Sequence, residues 1–164
     1  MTLHYENMSK RSALKTKINI CPEAELLLCC ARTVLDKQQL RRIKDLLQSS
    51  LDWPNLLIKA NRHCVLPLLY WNLNETYPEL VPNIYFSQLR SNFQRNAQHN
   101  LLLTRELIQL LDLFAAHEIQ AIPYKGPVMA ETAYNNLALR QFADLDILIK
   151  PRDVSRAKAL LLSH

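Results

Sequence analysis

Two aspartates separated by a single residue, Asp144 and Asp146, stand in the run Ala-Asp-Leu-Asp-Ile-Leu-Ile. The segment Leu145–Ile149 is β-branched and apolar, so the sequence predicts a strand there. Side chains alternate along a strand, which sends both carboxylates to one face and Leu145 and Ile147 to the other, toward a core. Carboxylates held side by side repel unless a cation neutralises them. Mg²⁺ takes carboxylate oxygens and keeps substrate phosphates among its remaining ligands. An acidic pair on a strand edge is therefore suited to metal-assisted phosphoryl or nucleotidyl transfer.

Eighteen residues upstream of Asp144 lies Gly126, the only glycine in the chain. It falls at a predicted strand-to-helix turn, Pro123–Gly126, where the first N–H groups of the next helix could meet a phosphate. Lys125 is its neighbour, and Arg140 stands four residues before Asp144. Each has a purely structural alternative. Gly126 can serve only the turn, Lys125 can be solvated, and Arg140 can pair with Asp144 or Asp146.

The elements that must position these residues are mostly helical. With one glycine in 164 residues, left-handed turns are scarce and asparagine must serve as an alternative cap. Pro22, followed by Glu23 and Glu25, suits a helix start, and the first helix is expected over Glu23–Val34. Asp36 begins a second helix, with Leu40, Ile43, Leu46 and Leu47 on one face and Lys37, Arg41, Arg42 and Lys44 on the other. Asp52 caps a third, and Pro67 opens a fourth over Leu68–Asn74. Residues Ile84–His117 read as one long helix, continuous or broken near Asn96–Asn100. A strand over Ile119–Ile122 and a helix from Pro127 to about Asn135 follow. Leu137–Ala143 is a linker or short strand, and a last helix, Val154–Leu162, is capped by Asp153. The expected organisation is a basic extension over residues 1–20, a helical region over 21–117, and a strand-helix-strand-helix unit over 118–164.

The net charge of +5 has a net +3 in residues 1–20, from Lys10, Arg11, Lys15 and Lys17 against Glu6. This is the pattern of a solvated terminus, and the overall pI does not carry nucleic-acid binding. The Arg41, Arg42, Lys44 face is equally what a solvated helix shows. No run approaches the roughly 18 apolar residues of a membrane span, and no signal-peptide core is present. A cytoplasmic protein is expected. Cys21, Cys29, Cys30 and Cys64 form no Cys-x-x-Cys pair and read as buried, reduced thiols. His63 and Cys64 supply at most two ligands, too few for zinc.

The segments Ile-Pro-Tyr-Lys-Gly-Pro-Val-Met-Ala and Leu-Ala-Leu-Arg-Gln-Phe-Ala-Asp-Leu-Asp-Ile-Leu-Ile resemble a family of bacterial proteins described as uncharacterised nucleotidyltransferases, within the polymerase-β-like superfamily. The likeness is most specific between Tyr124 and Ile149 and extends over about residues 23–164. It implies an α+β fold: a helical N-terminal region packed on a partial nucleotidyltransferase-like core with few strands. It implies Asp144 and Asp146 as the catalytic, metal-binding pair and two Mg²⁺ ions in a complete site. It also implies a nucleoside triphosphate bound by Lys125, Gly126 and Arg140, and transfer of a nucleoside monophosphate to an acceptor it does not name. Pro127 departs from the superfamily's Gly-Ser or Gly-Gly turn and removes a hydroxyl and an N–H. A third carboxylate on a later strand usually completes such a site, and no strand after Ile149 bears one. The expectation is an N-terminal portion of a longer protein, with weak or no catalysis by itself. A relative that binds nucleotide or a protein partner without catalysis is the alternative.

Overall fold

The structure is a computed structural model and describes residues 20–163, so the basic extension lies outside the described residues except for Ile20. Among the described residues, seven α-helices and one two-stranded sheet follow in the order α1 (Pro22–Cys30), α2 (Lys37–Leu47), α3 (Trp53–Arg62), α4 (Leu66–Thr76), α5 (Asn83–Ala116), β1 (Ala121–Pro123), α6 (Pro127–Tyr134), β2 (Ile147–Ile149) and α7 (Val154–Leu162). This is the expected α+β class, dominated by helix. None of the described helices is long and apolar enough to cross a membrane.

The helix starts follow local chemistry. Asp36 and Gln39 form a reciprocal capping box at α2, at 2.8 and 2.9 Å. Asp52 accepts from the Asn55 N–H at α3, while its own N–H donates to the buried Glu23 carboxylate at 2.9 Å. At α7 the expectation fails. Asp153 makes no cap hydrogen bond and accepts instead from Arg156, at 3.3 Å.

The helix ends show how a glycine-poor chain turns. Cys64, Glu118 and Asn135 all adopt positive φ, between 53° and 56°. After α5, Ile119 N–H bonds Phe114 O and Glu118 N–H bonds Ala115 O. This is a Schellman ending with Glu118 where glycine is usual, sealed by apolar Phe114 and Ile119 in one cluster. Cys64 ends α3 in the same way, with Val65 N–H on Ala60 O. The α5 ending uses up Ile119, so β1 begins at Ala121, two residues later than predicted.

Helix α1 stops at Cys30, short of the expected Val34. The buried Asn72 amide on α4 donates to Cys30 O and Arg32 O, both at 2.9 Å, and so takes carbonyls that a longer helix would have used itself. Helix α4 is longer than predicted at both ends, with Pro67 as its second residue. The cysteines are all free, but only Cys30 is buried. Cys29 is half-buried, and Cys21 and Cys64 are exposed, the last because it makes the α3 turn.

The main core joins α1–α4 to the first half of α5, around Leu26, Ile43, Leu56, Leu69, Leu73 and Leu89. A smaller cluster of Phe114, Ile119 and Ala157 sits under the sheet. Helix α5 runs 34 residues without a break and belongs to both. At 1.5 Å per residue it is about 50 Å long, a single rod joining the helical core to the sheet.

Candidate functional site

Strands β1 and β2 pair antiparallel, with Ala121, Ile122 and Pro123 opposite Ile149, Leu148 and Ile147. Asp144 and Asp146 precede the strand rather than lying in it. Asp144 is at a bend, and Asp146 is in irregular chain just before β2. One further bond, Tyr124 N–H to Asp146 O at 2.9 Å, carries the ladder to the second aspartate. The predicted alternation still holds there. Ala121, Ile147 and Ile149 pack on the small core, and Leu145 lines a cleft with Leu110 and Phe114. Ile122, Tyr124 and Leu148 are 65%, 55% and 55% exposed on the opposite face. Asp146, opposite Tyr124, falls on that outward face by the same two-residue period, and Asp144 is exposed.

Gly126 is buried at the start of α6, with φ 53° and ψ −122°. Val128 N–H bonds Lys125 O at 3.2 Å. Together these are the marks of a II′ turn with glycine at its first central position. A Cβ there would lie 3.3 Å from the Asp144 carbonyl oxygen. The glycine therefore lets the turn press directly on the backbone of the first aspartate, two separate needs met by one residue. Pro127 is the first residue of α6, where a missing N–H is tolerated.

Lys125 Nζ lies 3.8 Å from Asp146 Oδ2 and 5.4 Å from the centre of the Tyr124 ring. Both partners of the ion pair are about half exposed, so it contributes at most about 1 kcal/mol. Lysine, not Arg140, is the base that reaches the pair. Arg140 is half-buried, its guanidinium 5.7 Å from the Phe142 ring centre, with Nη1 buried and unpartnered among the described residues. No group of three His, Cys, Asp or Glu side chains able to hold a metal is found among the described residues.

Two residues that the sequence flagged only as a possible helix break belong to this neighbourhood. Asn96 of α5 donates to Ala138 O at 2.8 Å and Arg140 O at 3.3 Å. Asn100, one turn on, donates to Leu137 O at 2.5 Å and Arg140 O at 2.7 Å. The linker they hold is a 3₁₀ turn, Leu137–Leu139, followed by extended chain, rather than a strand. The available signal was two polar residues at i and i+4 within an otherwise uninterrupted helical pattern.

The chain's sequence from Ser49 onward, residues 49–164, matches a family described as uncharacterised nucleotidyltransferase, over more than two thirds of its length. The chain belongs to this nucleotidyltransferase family. The match takes in α3 to α7 and the whole candidate site, while α1 and α2 stand before it. Comparison with curated proteins and with solved structures returns no match.

Proposed function

We propose that this nucleotidyltransferase-family chain binds a nucleoside triphosphate as its Mg²⁺ complex and presents it for transfer of the nucleoside monophosphate. The observation that carries the reading is the packing of the Lys125-Gly126 turn against the two aspartates. Gly126 lies on the Asp144 backbone, and Lys125 lies beside the Asp146 carboxylate.

The donor set fits Mg²⁺. This ion favours one or two carboxylates together with substrate phosphates over an all-protein cage, and the exposed Asp144 and half-exposed Asp146 offer two carboxylates of that kind. Asp144 and Asp146 would hold it, and bound there it would supply charge neutralisation for the triphosphate. The chain's own groups do the rest. Lys125 compensates Asp146 in the free protein and is placed to turn its ammonium toward a phosphate oxygen once the carboxylate has another cation. The Gly126 turn supplies close backbone approach, and the Met129 N–H in the first turn of α6 makes no backbone hydrogen bond among the described residues. Ile122, Tyr124 and Leu148 give the apolar surface beside the carboxylates on which a planar or aliphatic part of the substrate would rest. The acceptor is left undefined by these residues.

Pro127 favours a second reading, binding without turnover, because it withholds one N–H from the phosphates. Calorimetric titration of each nucleoside triphosphate with Mg²⁺, paired with a pyrophosphate-release assay, separates the two. Asp144→Asn and Asp146→Asn should each weaken binding by at least roughly tenfold, since even residues that merely support a metal ligand are worth ~10–100-fold. Wild-type protein that binds no Mg²⁺ nucleotide, or variants that bind it equally well, would exclude both readings.

A further inference from the structure

The stretch from Arg140 to Leu145 has no helix or strand to hold it, yet it carries Asp144. Its fixed points are therefore informative. Downstream, the Tyr124 N–H holds Asp146 O. In the middle, Gly126 packs on Asp144 O. Upstream, Leu139 and Phe142 are buried, and the backbone carbonyls of residues 137, 138 and 140 accept hydrogen bonds from the amides of Asn96 and Asn100. Arg140 O accepts from both.

These amides sit at i and i+4 on one face of α5, so they act as neighbours. Asparagine is a mediocre residue for a helix interior, and burying its amide costs free energy unless it is satisfied. Asn100 is fully buried, and its Oδ1 has no partner among the described residues. With its acceptor unpartnered, the bonds Asn100 makes through its amide are all donated to the linker backbone. They hold the irregular segment that leads into the acidic pair, on a helix whose other half is anchored in the main core by Leu89.

We propose that Asn96 and Asn100 are positioning residues for Asp144 and Asp146. The α5 helix acts as a rail, and the two amides fix the distance and direction at which the acidic segment leaves it. The helical region then forms part of the nucleotide site. The functional consequence rests on the nucleotidyltransferase reading, whereas the mechanical link does not.

Hydrogen exchange on the full chain tests the link, using Asn100→Leu, which keeps the branched shape at Cγ but removes the donors, and the milder Asn96→Ala. The readout is the Tyr124 amide, whose acceptor is the Asp146 carbonyl, compared with the Leu69 and Leu73 amides in α4. Loss of a buried hydrogen bond to the linker should speed Tyr124 exchange roughly tenfold while the α4 amides keep their wild-type rates. Mg²⁺-ATP affinity, measured on the same samples, should fall by a similar factor. Unchanged Tyr124 exchange in both variants overturns the proposal. So does equal acceleration at Leu69 and Leu73, which would mean only general destabilisation. If Asn100→Leu does not fold, Asn96→Ala decides alone by the same two readings. Wild-type protein that binds no Mg²⁺-ATP would remove the nucleotidyltransferase reading, and the exchange rates would still decide the positioning role.

Discussion

Replacing Gly126 with alanine tests the turn and the acidic pair at once. Two costs add at this position. The backbone sits at φ 53° and ψ −122°, a region nearly closed to residues with a Cβ, and strained backbone of this kind costs about 1–3 kcal/mol. The new methyl would also stand 3.3 Å from the Asp144 carbonyl oxygen, close enough that one of them must give way. Its next contacts, 3.7 Å to Phe142 and 3.9 Å to Leu145, are ordinary packing and add nothing unfavourable. A loss of about 2 kcal/mol follows, or a fall in Tm of roughly 4–8 °C for a chain of this size. Because the relief must come from the Asp144 backbone, Mg²⁺ nucleotide affinity should fall as well. A circular-dichroism melt together with Tyr124 amide exchange measures both global and local loss, which matters because the sheet end can open separately from the helical core. A variant within about half a kcal/mol of wild type, with unchanged Tyr124 exchange, would refute the strain and the close approach together.

Two further predictions concern the scaffold. The Asp52 N–H bonded to the buried Glu23 carboxylate holds its pKa below the ordinary 4.5. A depressed folded pKa contributes stability that is fully present above the unfolded value and is lost as pH falls through the folded one. Denaturant midpoints should therefore drop as pH falls below that ordinary value, and Glu23→Gln should flatten this dependence. Asn72→Leu should cost about 2 kcal/mol in urea unfolding, because it strands the Cys30 and Arg32 carbonyls that the amide now satisfies. A cost indistinguishable from zero would show that α1 ends at Cys30 for some other reason.

Most helices could be read directly because their signals are local. The Asp36 and Asp52 caps, the Pro22 and Pro127 starts, and the spacing of Ile43, Leu46 and Leu47 all act within a few residues. Errors gathered where a distant group competes for the backbone. Asn72 shortens α1 from more than forty residues away, at the Cys30 carbonyl. The strand predicted over Leu145–Ile149 shrinks to Ile147–Ile149 because β1 is only three residues long and offers a single further N–H, that of Tyr124, beyond its end. Asp153, which looks like a cap, goes to Arg156 instead. Cys64 is exposed rather than buried for a related reason: a chain short of glycine spends it on a left-handed turn at the surface.

The sequence by itself determined the acidic pair, the single glycine before it, and a resemblance to the nucleotidyltransferase family to which the chain belongs. Composition and short-range pattern carry those features, since they depend on residue type and spacing alone. The tertiary structure decided which base reaches the carboxylates, what the glycine touches, and that Asn96 and Asn100 hold the segment leading to Asp144. Those relations join residues eighteen to forty-four positions apart, and no local periodicity records the partner of a side chain that bonds to a distant backbone carbonyl.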